Sequence, residues 1–283
     1  MNGQFDVQEF VRRVLAEDLG SGGDLTSKAT IPTEANFAAQ LATREPITVA
    51  GLEIAATFFR ALDSQVRIDM PVADGDSVEA GTVLMRLEGS ARPMLAAERS
   101  ALNTLQHLSG IATLTRRYVD AIAGTGATLL DTRKTIPGLR LLDKYAARMG
   151  GAENHRMRLD DGVLIKDNHV AVCGGVAEAV TAAKAGNVGL PVQVEVDRID
   201  QIEPALNAGA DRLLLDNMGV PTLREAVALV AGRVSLEASG GVNLDTIRGI
   251  AETGVDFISV GRITQSAPAV DIGMDYALRQ PHD

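Results

Sequence analysis

The sequence is poor in cysteine and in aromatic residues, and both shortages exclude classes of protein. Its 283 residues contain one Cys, no Trp, three Tyr and six Phe. The single cysteine, Cys173, excludes an internal disulfide and a cysteine-rich zinc site, and we expect it to be a small buried apolar residue. So few aromatic rings also disfavour the stacking platforms of proteins that bind single-stranded nucleic acids.

Positive charge is also scarce. The chain has 27 Lys and Arg residues against 37 Asp and Glu residues, a formal net charge of −10. An acidic total without a basic tract disfavours nucleic acid as the main partner. No apolar run approaches the roughly 18 residues that a membrane span needs. The first residues lack the basic and apolar parts of a signal peptide. We therefore expect a soluble, cytoplasmic protein without a membrane or nucleic-acid partner.

The little positive charge present is concentrated in residues 133–169. This segment carries eight Lys and Arg residues against five Asp and Glu residues, so it is near +3 while the rest of the chain is near −13. Cations gathered against the overall charge favour an anionic ligand, although a solvated helix face of mixed charge is an equally common alternative. Arg133 and Lys134 close the short apolar run at Leu129 and Leu130, and Lys166 closes the run Val163–Ile165. Because α/β enzymes keep their sites at the ends of buried strands, we predict an anion-binding enzyme.

The C-terminal half repeats one pattern, a short apolar strand followed by a helix and a closing glycine such as Gly209 or Gly254, expected in the left-handed conformation. Six strands are predicted, at Thr128–Thr132, Gly162–Lys166, Val192–Val196, Arg212–Asp216, Val234–Glu237 and Phe257–Val260. Helices are predicted near Gly175–Ala185, Ile199–Ala208, Thr222–Val230 and Leu244–Glu252. This alternation favours right-handed βαβ units and a parallel sheet. Since six strands are too few for a complete eight-stranded barrel, we predict an α/β fold with an open barrel.

The first part of the chain follows a different pattern, with a helix predicted at Val7–Ala16 and strands at Ala38–Thr43 and Val66–Met70. Residues Gly75–Leu84 resemble the hairpin of biotinyl and lipoyl carrier domains. A carrier needs a Lys at the hairpin tip, and none stands there. We therefore expect a structural hairpin. A long helix, Pro93–Thr115, is predicted to link the two parts.

If the strands are parallel, their carboxyl ends bring three kinds of group to one edge, together with Lys134 and with His155 on the preceding loop. Arg133, Arg156 and Lys166 suit carboxylates, which a guanidinium binds bidentately. Glu195 and Asp216 suit an octahedral Mg²⁺ that keeps its waters and shares phosphate oxygens. Backbone N–H groups that would face a phosphate belong to Ser239, Gly240, Gly241 and Gly261.

Each of these groups has a structural alternative. Glu195 and Asp216 could cap helices or pair with Arg198 and Arg212. Paired glycines mark many turns.

The histidines also have structural alternatives. His155 could be a loop histidine satisfied by its neighbours, His107 is expected to pack or cap on its helix, and His169 to shape its loop. No pair of histidines has the spacing of a zinc-binding helix, which disfavours a zinc site.

Three motifs carry a resemblance to a known family: Asp131–Arg140 (DTRKTIPGLR), Asn154–Arg156 (NHR) and Ile165–His169 (IKDNH). With them the chain resembles the quinolinate phosphoribosyltransferase family. Further matching segments are Glu17–Gly20, Leu215–Met218, Ala238–Val242 and Asp271–Gly273, so the resemblance runs nearly end to end. It implies a pentosyltransferase that moves phosphoribose from phosphoribosyl pyrophosphate to the ring nitrogen of quinolinate. One carboxylate is lost as CO₂, and the product is nicotinate mononucleotide for NAD biosynthesis.

The resemblance also implies the architecture and the assembly. We expect an N-terminal α/β sandwich domain (1–110), an open α/β barrel with the catalytic site (111–267) and a C-terminal tail (268–283) that packs back on the N-terminal domain. We also expect a homodimer or a multiple of dimers, in which Arg99 completes the site of the neighbouring subunit.

The resemblance assigns the site residues by ligand. The quinolinate carboxylates would be held by Arg133, His155, Arg156 and Lys166. The 5′-phosphate would be bound by Ser239, Gly240, Gly241 and Gly261. The catalytic residues would be Lys134, near the pyrophosphate, together with Lys166, Glu195 and Asp216. Of these, Glu195 and Asp216 would hold Mg²⁺ or ribose hydroxyls. Gln265 departs from the family, which often has His there, and Gln can donate a hydrogen bond to phosphate but carries no charge.

Two other functions are kept as alternatives. One is a related phosphoribosyltransferase with another acceptor, such as nicotinate or the substrate of the family's molybdenum-transport-associated paralogue. The paired Arg133 and Arg156 favour a dicarboxylate, because a monocarboxylate would leave a buried cation unpaired. The other is a non-catalytic anion-binding or carrier protein, which the missing Lys disfavours. For the decarboxylation we hypothesise that no acid–base residue is strictly needed.

Overall fold

The computed structural model describes residues 5–186 and 189–276. The strands are β1 Asn36–Thr43, β2 Ile47–Thr48, β3 Arg67–Asp69, β4 Ser77–Val78, β5 Val83–Ser90, β6 Thr128–Leu130, β7 Val163–Ile165, β8 Val192–Val196, β9 Arg212–Asp216, β10 Ser235–Ser239, β11 Phe257–Ser259 and β12 Ile272–Tyr276. The helices are α1 Val7–Leu19, α2 Leu25–Thr30, α3 Leu52–Leu62, α4 Ala91–Ala121, α5 Arg140–Met149, α6 Asp167–Cys173, α7 Val176–Gly186, α8 Ile202–Asn207, α9 Val220–Val230, α10 Ile247–Ala251 and α11 Arg262–Gln265, with a 3-10 turn at Ile199–Gln201.

The described residues form two compact units. One holds the residues up to Leu114, Leu141–Gly150 and those from Ala267 onward, and the other holds Thr115–Arg140 and Gly151–Ser266. The domain limits at residues 110 and 267 stay predictions. Among the helices of the described residues, none combines the length and apolar character that crossing a membrane requires.

The first unit is built on an antiparallel sheet in the order β12-β1-β5-β3. Leu41 of β1 lies opposite Met85 of β5, and both side chains are fully buried. Helix α3 adds the buried Phe58, whose ring meets that of Phe10 from α1 edge-on at 6.1 Å. Helix α4 contacts the sheet where Gln106 donates a side-chain hydrogen bond to the carbonyl of Ile272 in β12 at 2.8 Å. Helices in contact with an antiparallel sheet confirm the predicted N-terminal α/β sandwich.

The predicted hairpin at Gly75–Leu84 is wrong. Strand β4 pairs with β2, with Ser77 opposite Thr48, whereas β5 pairs with β1 and β3. The two strands of the segment therefore belong to different sheets. Because β2 and the long β1 take the hydrogen bonds that a hairpin would use, the local pattern is overridden by pairing with more distant segments.

The second unit is built on a parallel sheet in the order β6-β11-β10-β9-β8-β7. All six predicted strands are present, within two residues of their predicted bounds. Among the described residues, no pairing joins the two end strands, β6 and β7, so the sheet is not closed. Beyond β6 one further parallel bridge joins Leu130 to Glu153. The predicted open α/β barrel is confirmed.

One turn is used twice to lead from a helix into a strand of this barrel. Gly209 and Gly254 have φ values of +92° and +95°, the left-handed conformation predicted for them. In each turn the Asp two residues later accepts a backbone hydrogen bond, Asp211 from Val192 at 2.6 Å and Asp256 from Leu236 at 2.7 Å. These bonds fix the start of neighbouring strands and hence the register at their far, carboxyl ends.

Candidate active site

A cavity of about 690 Å³ lies at the carboxyl ends of the parallel strands. It lies within the second unit, and the sequence-predicted site residues that line it are Arg133, Lys134, His155, Arg156, Lys166, Glu195, Asp216, Ser239, Gly240, Gly241 and Gly261. Arg99 is exposed on α4 in the first unit and is not among the lining residues. The shared edge of a parallel sheet thus brings together all the other residues that the sequence assigned to the site.

One wall of the cavity carries two guanidinium groups. Arg156 is held by a bond from its Nη1 to the carbonyl of Gly162 at 2.8 Å. Burial, and then the nearby charge of Arg133, lower the pKa of Arg156. The Nε of Arg133 is buried, and among the described residues it has no hydrogen-bond partner. Two cations held against their mutual repulsion, one with an unused buried donor, favour an anion with more than one negative charge.

The same cavity is also lined by a pair of carboxylates, those of Glu195 and Asp216. Lys166 Nζ contacts Glu195 Oε2 at 2.7 Å, and Asp216 accepts a hydrogen bond from Asn217 at 2.6 Å. Burial, and then the charge of Glu195, raise the pKa of Asp216, against the opposing effect of Lys166. Two carboxylates that repel each other in a partly buried place are donors of the kind that a divalent cation neutralises.

The alternative that Glu195 and Asp216 pair with Arg198 and Arg212 is wrong. Arg198 pairs with Asp197 and Asp200, and Arg212 lies 4.0 Å from Glu237. The carboxylates of Glu195 and Asp216 face the cavity.

A third part of the cavity, its glycine-backbone end, follows strands β10 and β11. Gly240 and Gly241 have φ values of +89° and +63°, and a Cβ on Gly240 would lie 2.1 Å from the side chain of Asn217. A Cβ on Gly261 would lie 2.7 Å from the side chain of Lys134. Gly240 is therefore required both for its conformation and for space, Gly241 for its conformation and Gly261 for space. Exposed backbone at the ends of the last two strands suits an anion such as phosphate.

A buried aspartate orders the loop that carries His155 and Arg156. Asp131 is fully buried at the end of β6. It accepts hydrogen bonds from the His155 N–H at 2.9 Å and from the Asn154 side chain. In the sequence, Asp131 stands out only as part of the motif Asp131–Arg140. Its role could have been expected from an acid that directly follows an apolar strand and precedes two cations.

Glu237 was not predicted from the sequence as a site residue. It is fully buried in the middle of β10 and lines the floor of the cavity. Burial raises its pKa, but hydrogen bonds from His155, Gln193 and Ser259 outweigh burial and leave the pKa below its usual range. A charged residue between Leu236 and Ala238 in an apolar strand is the signal that could have found it.

Three other predictions concern residues outside the cavity wall. His169 accepts a hydrogen bond from the Lys166 N–H at 2.9 Å, which confirms that it shapes its loop. His107 contacts the buried Asp143 at 2.9 Å within the first unit. The prediction that Cys173 is buried is wrong. It is exposed, because it ends the short helix α6, which buries none of its residues.

Two family models match successive parts of the chain. Residues 24–109 match the family model "Quinolinate phosphoribosyl transferase, N-terminal domain", and residues 111–275 match the model of the C-terminal domain. A nicotinate-nucleotide pyrophosphorylase [carboxylating] of Mycobacterium leprae is 42% identical over 281 residues, covering 96% of this chain and 98% of that one. A quinolinate phosphoribosyltransferase [decarboxylating] of Nicotiana tabacum is 39% identical, covering 95% and 82%.

Solved structures agree. The nicotinate-nucleotide pyrophosphorylase of Ehrlichia chaffeensis superimposes with a TM-score of 0.93 at 40% identity, covering 98% of this chain and 100% of that one. The enzyme of the same name from Francisella tularensis gives a TM-score of 0.92 at 41% identity, with 96% of each chain covered. On the strength of both family models and these near full-length relatives, the chain belongs to the quinolinate phosphoribosyltransferase family.

Proposed function

We propose that this protein transfers phosphoribose from phosphoribosyl pyrophosphate to quinolinate with loss of CO₂, giving nicotinate mononucleotide and pyrophosphate for NAD biosynthesis. The observation that carries the proposal is the division of one cavity into a paired-guanidinium wall, a carboxylate pair and a glycine-backbone end. These regions match the three charged parts of the reactants, a dicarboxylate, a pyrophosphate that needs a cation, and a 5′-phosphate.

The acceptor is held by the cationic wall. Arg133 and Arg156, with Lys166, bind the two carboxylates, so that the ring nitrogen is in line with the ribose carbon. Of the possible acceptors, nicotinate fits less well because its single carboxylate would leave one of two partly buried guanidinium groups without an anion.

The donor is held by the glycine end and the carboxylate pair. Gly240 and Gly241 bind the 5′-phosphate through their backbone, and Lys134 neutralises the pyrophosphate as it leaves. The carboxylates of Glu195 and Asp216 are suited to Mg²⁺. When bound, the ion would neutralise charge on the leaving pyrophosphate.

The loss of CO₂ follows from the product of the first step. Bond formation between the ring nitrogen and the ribose carbon makes the ring a pyridinium. The C2–carboxylate bond then breaks, its electron pair stays on C2 beside the positive nitrogen, and C2 takes a proton from solvent. The protein therefore has to position the ring, and no side chain has to supply the electrons.

The test uses purified protein with Mg²⁺, phosphoribosyl pyrophosphate and carboxyl-labelled quinolinate, and a parallel reaction with nicotinate. We expect labelled CO₂ and nicotinate mononucleotide in equal amounts, and no mononucleotide from nicotinate. Mononucleotide formed from nicotinate but not from quinolinate would support the related phosphoribosyltransferase that uses nicotinate as acceptor. The absence of product from both acceptors would contradict the proposed reaction. A mass increase after incubation with biotin or lipoate ligases would instead support the carrier alternative.

We further propose a homodimer in which Arg99, exposed on α4, completes the site of the neighbouring subunit. Co-expression of two inactive variants, R99A and K134A, tests this. Half of the dimers would be mixed, and one of the two sites in each mixed dimer would carry neither substitution, so about a quarter of wild-type activity should return. If Arg99 served its own subunit, the mixed dimers would be as inactive as the parents. A cytoplasmic location stays a prediction.

A further inference from the structure

A buried polar cluster centred on Glu237 forms part of the cavity lining. Its Oε2 accepts a hydrogen bond from Gln193 Nε2 at 2.8 Å and lies 3.4 Å from His155 Nε2 and 4.0 Å from Arg212 Nη1. The side chain of Glu237 is fully buried, and that of His155 is 13% exposed. A buried carboxylate is costly unless it is paired, so these contacts hold Glu237 in one place.

Both ring nitrogens of His155 have protein partners. The backbone N–H of Arg156 donates to Nδ1 at 2.7 Å, so Nδ1 carries no proton. The ring proton is then on Nε2, which faces Glu237. Hydrogen-bond geometry thus directs the proton of this ring toward Glu237, and both ring nitrogens are engaged by the protein.

From this arrangement we infer that Glu237 and His155 form a positioning pair, in which the carboxylate fixes the imidazole and the imidazole fixes the backbone of Arg156 for binding of the acceptor. The inference rests on the proposed function. It replaces the expected direct contact of His155 with a quinolinate carboxylate by an indirect role, and it assigns Glu237 to the site.

The pair has a physical consequence for acceptor binding. The Arg156 N–H is fixed by Nδ1, and the Arg156 guanidinium is fixed by Gly162, so the side chain is anchored at both ends. Preorganisation of this kind removes the cost of ordering a long side chain when the anion binds. Loss of the anchor should therefore weaken quinolinate binding more than it slows turnover at saturation.

A matched pair of substitutions separates positioning from proton transfer. In H155N the amide oxygen takes the place of Nδ1 and can accept from the Arg156 N–H. In H155Q the amide takes the place of Nε2 and leaves that N–H without an acceptor. We expect H155N to bind quinolinate about tenfold more tightly than H155Q, and H155A to be as weak as H155Q. Dissociation constants from calorimetry and turnover numbers from pyrophosphate release are measured on the same preparations.

Two results would overturn the inference, and a third would overturn the proposed function instead. If His155 transferred a proton, both H155N and H155Q would lose turnover at saturation while quinolinate binding was kept, and the inference would be overturned. Equal quinolinate affinities for H155N and H155Q would also overturn it. If wild-type protein neither binds quinolinate nor forms product, it is the proposed function that fails, and the comparison of variants is not reached.

Glu237 is tested by coupling to His155. Because E237Q acts through the imidazole, it should weaken quinolinate binding in the wild-type background but have little further effect in H155A. Additive losses would mean that Glu237 acts independently of His155 and would contradict the pair. Circular dichroism and thermal unfolding confirm folding of each variant. If E237Q does not fold, the comparison of H155N with H155Q still decides the role of the imidazole.

Discussion

Replacement of Asp216 by Asn is expected to lower turnover by about 100- to 1,000-fold, the usual effect of removing one charge that stabilises a transition state. The substitution keeps the shape of the side chain and its contact with Asn217, but removes half of the carboxylate pair. Initial rates of pyrophosphate release, measured as a function of Mg²⁺ concentration, should show loss of saturable dependence on the ion.

The stability of D216N is not expected to fall with its turnover. Burial, and then Glu195, raise the pKa of Asp216 in the folded protein. A raised carboxyl pKa means that stability is present below the unfolded pKa and is lost as pH rises through the folded pKa. At neutral pH the charged side chain therefore costs stability, and D216N should unfold at the same temperature as wild type or higher. A large fall in melting temperature would show that Asp216 has a structural role.

The control for this variant is D197N, which makes the same chemical change one residue beyond the end of β8. Asp197 is exposed and pairs with Arg198 outside the cavity lining. Turnover should remain within about threefold of wild type, as for most exposed ion pairs. Equal losses in the two variants would contradict a specific role of Asp216.

The barrel and most of its site could be predicted from the sequence because both depend on local patterns. Leu213, Leu214 and Leu215 form a buried run, and Gly209 ends the preceding helix. Once such units are known to be parallel, the residues after each strand, including Lys166 and Asp216, must share one edge. That geometry needs no knowledge of which strands are neighbours.

What could not be predicted depends on contacts between distant segments. Gln193 on β8 reaches Glu237 on β10 across the intervening strand β9. That bond exists only because the sheet order and register place both side chains on the inner face. The same applies to β4, whose pairing with β2 is not encoded in its own two residues. The position of the cavity could be predicted from sequence patterns, whereas the buried residues that support it could be identified only from the tertiary structure.

Substitutions in the cationic wall, formed by Arg133 and Arg156, should have the second large effect, which is on binding of the acceptor. Truncation of either Arg133 or Arg156 in R133M or R156M is expected to weaken quinolinate binding by about 100- to 1,000-fold, since one carboxylate would then lie against a partly buried surface without its cation. Burial, and then Arg133, lower the pKa of Arg156, which means that the charged form is less favourable in the folded protein than in the unfolded chain. At neutral pH the group is still charged, so this cost is present in the empty protein and is offset when the dianion binds.

Melting temperatures with and without quinolinate test whether the two guanidinium groups bind the acceptor. Quinolinate should raise the melting temperature of wild type by ligand linkage, and it should have little effect on R133M or R156M at the same concentration. The control is R158M, two residues along the same loop, whose exposed guanidinium pairs with Asp160 at 2.8 Å. It should keep the wild-type response. If R156M responded to quinolinate as wild type does, the guanidinium would not bind the acceptor. If all three variants lost the response, the cause would be disorder of the loop and not the loss of a specific cation.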